Sequence, residues 1–203
     1  MSPSEAIARV VHEIGGRTGT SWVGIDGLGA SGKTTLAEAL STALAGSVVV
    51  HVDDFARPDL PGWELQRFVV QVRDPLLAGR PALYQRWNWS TNTGAEWIEV
   101  RPGGPVIVEG VSSTDTRLGV PWDFTIWVDV PREMRVRRAL ERDGEAMMHR
   151  WLNDWIPSEE DYVRRQQPRN RVDLIVDGAT APEPVPSPEP VEGPERPGPQ
   201  TAP

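Results

Sequence analysis

Residues 27–35 read Gly-Leu-Gly-Ala-Ser-Gly-Lys-Thr-Thr, and no other run constrains the fold as tightly. The run fits G-x-x-x-x-G-K-[ST], with Gly27, Gly32, Lys33 and Thr34 on the fixed positions. Glycines let backbone N–H groups wrap an anion without a Cβ in the way. A helix that follows points its N-terminus, the positive end of its dipole, at the same anion. The flanks suit such a loop. Ser21-Trp22-Val23-Gly24-Ile25 reads as a buried strand, and Leu36, Ala37, Leu40 and Leu44 recur at helical spacing. Backbone and side chains of Gly27, Gly29, Ala30, Ser31, Gly32, Lys33, Thr34 and Thr35 are the expected nucleotide contacts. Lys33 would reach the β- and γ-phosphates, and the Thr34 hydroxyl would ligate Mg²⁺.

Composition sharpens this reading. Lys33 is the only lysine, against twenty arginines. A chain built on arginine keeps one compact ammonium where a point charge suits a phosphate cradle. The 203 residues suit one domain with a sizeable core, and a net charge of −8 argues against nucleic acid or an anionic membrane as main partner. The absence of cysteine excludes disulfides and thiolate metal sites. His12, His51 and His149 are scattered, without ligand spacing. No secretory leader or membrane-spanning apolar run is evident, so a cytoplasmic location is expected.

Along the chain, Ser2 as N-cap, Pro3 at the first helical position and Glu5 as partner predict a helix with a capping box. Strands are expected at 48–52, 106–108, 124–128 and 174–176, besides the one before the glycine loop. Helices are expected from Trp63 to Val72, from Pro75 to Gly79, at 131–142, at 145–155 and at 159–167. In the last, Ser158 and Asp161 resemble a capping box. Residues 84–97, polar and aromatic, suit a hairpin or flap. Five apolar strands alternating with helices predict an α/β domain over 1–180, a parallel sheet with helices on both faces. Residues 181–203, rich in Pro and Glu, predict a disordered tail.

In such sheets ligands sit beyond the carboxyl ends of the strands, where Asp26, Asp53, Asp54, Glu109 and Asp129 fall. Phosphoryl transfer needs a carboxylate near Mg²⁺ and one to take the proton of an attacking hydroxyl. Asp53 and Asp54 compete for the second role; at an extended strand end only one would face the site. Asp26 would touch the metal or merely end its strand. Arg135, Arg138 and Arg142 share one helix face, extended by Arg132, and suit either a solvated basic face or a lid over the transferred phosphoryl group. Tyr84, Trp87, Trp89 and Trp97 are candidates for stacking on a flat substrate or for packing.

Together, Gly24-Ile25-Asp26-Gly27, Gly32-Lys33-Thr34-Thr35, Val52-Asp53-Asp54-Phe55, Val106-Ile107-Val108-Glu109-Gly110 and Trp127-Val128-Asp129 with the following arginines resemble the uridine kinase-like branch of the P-loop kinases. The resemblance spans most of residues 20–178. It implies Asp53 as the base for the acceptor hydroxyl, in a strand neighbouring the glycine-loop strand. It implies Glu109 as support for Mg²⁺ and the substrate sugar, Arg135 as a contact to substrate, Arg138 as a contact to the phosphates, and Tyr84 on the substrate side. Where the family places a base-reading His, this chain has Trp89, and Ala56 stands where a Tyr is common. The expectation is therefore an ATP- and Mg²⁺-dependent kinase acting on a small hydroxylated acceptor, a nucleoside first. Its adenine would lie near residues 168–171. A GTP switch is excluded, since its Asn-Lys-x-Asp element needs a second lysine. A partner-driven ATPase and a nucleotide sensor without turnover are the remaining alternatives, the second disfavoured by Asp53 and Glu109.

Overall fold

The computed structural model describes residues 1–57, 62–89 and 91–180. The predicted tail and most of the loop after Arg57 lie outside the described residues. Helix α1 (Pro3–Ile14) starts on Ser2, whose hydroxyl accepts the Glu5 N–H while Glu5 reaches back to the Ser2 N–H. This is the expected capping box. Strand β1 (Ser21–Gly27) runs into the glycine loop and α2 (Lys33–Ala43) leaves it. Then come β2 (Val48–His51), a one-turn 3₁₀ segment (Val52–Phe55), and α3 (Leu65–Phe68), which is continued by α4 (Asp74–Leu77). An antiparallel hairpin of β3 (Ala82–Asn88) and β4 (Thr93–Val100) occupies the stretch foreseen as a hairpin. The chain continues through β5 (Pro105–Glu109), β6 (Phe124–Asp129), α5 (Arg132–Asp143), α6 (Glu145–Arg150), α7 (Ile156–Gln166) and β7 (Leu174–Asp177).

The five long-range strands form one parallel sheet in the order β2-β5-β1-β6-β7. This is the α/β fold that the strand–helix alternation predicts. One expectation needs correction: β2 is not the neighbour of β1. Strand β5 lies between them, so Glu109, not Asp53, ends the strand beside the glycine loop. Alternation along β1 explains the two layers. Val23 and Ile25 face α1 and α2, with Leu36, Leu40 and Ile107. Trp22 faces the other way, into a core built from Val106, Val108, Phe68, Val72, Leu76 and the hairpin's Ala82 and Tyr84.

Two helix boundaries differ from expectation for one physical reason. Residues 65–77 form a single run, joined by a π turn at Val69–Arg73, and residues 145–166 form another, joined by a π turn at Trp151–Trp155. In each, a proline sits two residues beyond the π turn, Pro75 and Pro157. Proline lacks an N–H and its ring crowds the carbonyl four residues back. A turn widened to i→i−5, seen as Asp74 N–H to Val69 C=O and Ile156 N–H to Trp151 C=O, absorbs the mismatch without ending the helix. Ser158 therefore lies inside a helix and caps nothing. Trp63 lies outside its expected helix, in a bridge to Ala56.

Phe68 ties the second layer together: it is fully buried and meets Phe55 and Trp63 edge-on, with centroids 5.5 and 6.0 Å away. Phe68→Ala should cost about 3–5 kcal/mol, read from the shift of a chemical-denaturation midpoint at unchanged slope.

Candidate active site

The glycine loop closes over the carboxyl end of β1, where connections leave to both sides of the sheet. Gly32 sits at the N-cap of α2 with φ +93, a conformation that only glycine adopts freely. Lys33 is nearly buried and folds its ammonium onto the Leu28 carbonyl at 2.9 Å. The Thr34 hydroxyl donates to Glu109 Oε1 at 3.1 Å, so the end of β5 meets the first turn of α2. His51 Nδ1 lies 2.6 Å from the same oxygen, which leaves Glu109 Oε2 out of both contacts. The register His51↔Glu109 places these two side by side on parallel strands. The bond to Glu109 raises the His51 pKa, against the opposing effect of burial.

Asp53 and Asp54 part company, though not as a strand end would separate them. They lie on a 3₁₀ turn, which begins at Val52 because β2 stops at His51. Asp54 is buried and accepts from Arg86 Nε at 3.1 Å and from the Tyr84 hydroxyl at 3.3 Å. Asp53 is open to water but set among protein walls. Loss of solvation pushes its carboxyl pKa up, Glu109 adds to the rise, and Lys33 and His51 oppose it. Asp53 is thus the exposed member of the pair, within electrostatic reach of Lys33 on the glycine loop.

Asp26 is fully buried and accepts five hydrogen bonds. One oxygen takes the N–H groups of Gly27 (2.7 Å) and Ser112 (3.0 Å). The other takes the Thr114 N–H (3.1 Å) and hydroxyl (2.6 Å) and the Tyr162 hydroxyl (2.5 Å). Burial pushes its pKa up, and the bonds from Thr114, Tyr162 and Gly27 pull it back. With both oxygens spent on the protein, Asp26 braces the fold.

The arginine face of α5 divides its work and is no plain solvated surface. Arg135 is buried and pairs with Glu159 at 3.1 Å, its Nη1 also 3.4 Å from the Gly29 carbonyl. Arg138 donates to the carbonyls of Gly178 (2.8 Å) and Ala179 (3.1 Å), beyond β7. Arg142 pairs with Asp143, lies 5.9 Å from the Trp151 ring centroid, and is near enough to Asp53 for their charges to interact. Arg132 reaches only towards Glu160, at 3.8 Å. Arg135 thus stands against the loop and not beside Tyr84. Tyr84 itself is a core residue, 1% exposed and packed on Phe55 with ring centroids 4.9 Å apart, and its hydroxyl reaches Asp54. Trp89 stands 47% exposed at the turn after β3.

Sequence reasoning missed His51, Glu159 and Tyr162. The first is paired through strand register; the other two are spaced i, i+3 on one face of α7 and reach the loop from far along the chain. Among the described residues, no cluster of three or more His, Asp or Glu side chains could hold a metal by itself, and no helix is long and apolar enough to cross a membrane. The Thr34 hydroxyl and Glu109 carboxylate do fit Mg²⁺, a hard cation usually held by one or two protein oxygens together with phosphates and water.

The sheet order and the glycine loop between β1 and α2 give the α/β fold that P-loop kinases also have. Among known proteins, the chain is similar to uridine kinases. The chain is 25% identical over 183 residues to a uridine kinase of Staphylococcus epidermidis, covering 77% of this chain and 87% of that one. It is 29% identical over 143 residues to a uridine kinase of Proteus mirabilis, covering 60% and 67%. No protein-family profile matches. Among solved structures, a possible uridine kinase from Bacillus stearothermophilus superposes with a TM-score of 0.63 at 20% identity, covering 86% of this chain and 97% of that one. A Silicibacter protein assigned as a fructose transport system kinase gives 0.67 at 20% identity, covering 86% and 98%. At this identity the two structures speak for the fold alone.

Tyr162→Phe removes one donor to a buried carboxylate and should cost about 1–3 kcal/mol. Asp26→Asn, which turns an acceptor into a donor facing other donors, should cost more. Thermal unfolding with and without nucleotide reads both.

Proposed function

We propose that the chain transfers the γ-phosphate of ATP to a hydroxyl of a small acceptor, with a nucleoside as the first candidate. The observation that carries this reading is the placement of Asp53, an exposed carboxylate on the 3₁₀ turn after β2, close enough to Lys33 and Glu109 for their charges to act on it. A neutral hydroxyl is a weak nucleophile, and a base of raised pKa is better matched to its proton. In the proposed reaction Asp53 takes that proton as the acceptor oxygen bonds to the γ-phosphorus, and the bond to the β–γ bridging oxygen breaks to release ADP. Asp54, tied to Arg86 and Tyr84, holds the turn that presents Asp53.

The loop amides and Lys33 would bind the phosphates, and Thr34 and Glu109 would hold Mg²⁺. The bound ion supplies neutralisation of charge on the β- and γ-oxygens. Glu109 Oε1, engaged by Thr34 and His51, would stay fixed, leaving Oε2 for the ligand side. Of the lid arginines, Arg135 and Arg142 are the better candidates for the transferring group. Arg138 is engaged by the carbonyls after β7 and serves the reaction only if it exchanges them for phosphate. Having such arginines in its own chain favours a kinase over an ATPase driven by a partner. The uridine kinases among its relatives support a nucleoside acceptor, and exposed Trp89 in place of a base-reading His calls for testing other acceptors.

A panel of nucleosides, sugars and small alcohols, assayed for acceptor-dependent ADP release, tests the reading. ATP hydrolysis that no acceptor stimulates would count against it. With the responding acceptor, Asp53→Asn should lower kcat on the order of 10²–10⁴-fold and spare ATP affinity. Asp54→Asn should mainly lower the melting temperature, and Lys33→Ala should weaken nucleotide binding itself.

A further inference from the structure

Helices α5 and α7 both reach Gly29 of the glycine loop. Glu159, in the first turn of α7, accepts the Gly29 N–H through Oε1 at 3.0 Å and binds Arg135 through Oε2 at 3.1 Å. Arg135 Nη1 in turn approaches the Gly29 carbonyl. The pair is dry, with side chains 4% and 8% exposed. Only glycine fits here, since a Cβ at position 29 would stand 2.6 Å from both Glu159 Oε1 and the Trp151 ring.

A buried ion pair loses in desolvation much of what it gains in attraction, so stability alone is a weak reason for it. Its placement has a better one. The pair uses Arg135 Nη1; Nε of the same buried side chain has no hydrogen-bond partner. Ser31 Oγ, fully buried on the same loop, has none either. The charge of Lys33 also acts on Glu159, so both cations of the cradle converge on this carboxylate. Unspent donors and two cations at the crest of a phosphate-binding loop suit an oxyanion whose charge grows during reaction.

We infer that Glu159 is a positioning residue: through the buried pair it holds the Arg135 guanidinium at the crest of the loop, with donors left for the phosphoryl group in transit. This rests on the kinase reading above, and its test needs no acceptor. Affinities for MgADP alone and for MgADP with aluminium fluoride, a mimic of the phosphoryl group in flight, are measured by calorimetry. Glu159→Gln keeps an oxygen for the Gly29 N–H and removes the charge that anchors Arg135.

Glu159→Gln should weaken the aluminium fluoride complex on the order of 10-fold to 100-fold and change MgADP affinity by less than about threefold. Arg135→Gln should do the same, and the double variant should be no worse than Arg135→Gln. Should Glu159→Gln unfold, Arg135→Lys, which keeps a charge beside Glu159 and loses the fork, must show the same selective loss. Equal losses for both ligands would mean a merely structural pair and overturn the inference. Additive effects, tighter binding by Glu159→Gln, or a wild type that does not distinguish the two ligands would overturn it too. A selective loss in a protein that phosphorylates no acceptor would uphold the inference and sink the kinase reading alone.

Discussion

The Asp26 carboxylate is the point through which the glycine loop is attached to the rest of the molecule. It lies at the end of β1, one residue before the loop begins, and gathers donors from three places. Gly27 is its own neighbour, Ser112 and Thr114 lie beyond β5, and Tyr162 is in α7. Each bond to a charged acceptor is worth about 1.5–3 kcal/mol, and each donor left orphaned by its removal would carry a desolvation penalty. A loop that must present its N–H groups to an anion needs a rigid root. Here the root is a buried charge that the protein has satisfied from every side.

Much of the fold was legible because its signals are local. The Ser2–Glu5 box, the apolar strands and the hairpin each depend on residues a few positions apart. The π turns were not, because one extra residue per turn barely disturbs an apolar stripe, and Pro75 and Ser158 read as helix starts. Strand order was misjudged for a related reason. Nothing within residues 48–55 records that β5, fifty residues later, inserts beside β1.

The site divides along the same line. Lys33, Thr34, Asp53 and Glu109 sit in short patterns whose chemistry can be argued residue by residue. His51, Glu159 and Tyr162 owe their places to pairings across the chain, and an isolated histidine or a glutamate in a charged helix gives no local hint. The arginine face of α5 shows the limit most clearly. Helical spacing correctly put Arg135, Arg138 and Arg142 on one side, but only the packed structure separates the buried ion pair from the brace on the residues after β7 and from the partner of Asp143.

Lys33 has a consequence for anyone handling this protein. It is the one side-chain amine of the whole chain. Nζ is folded onto a carbonyl and nearly buried. Acylating or carbamylating reagents therefore find two kinds of nitrogen, the α-amino group and the ammonium beneath the glycine loop. Coupling at the first tethers or labels the protein at its N-terminus, and coupling at the second strikes the phosphate cradle directly. Cross-linkers, immobilisation resins and cyanate in old urea all become footprinting reagents for a single functional group.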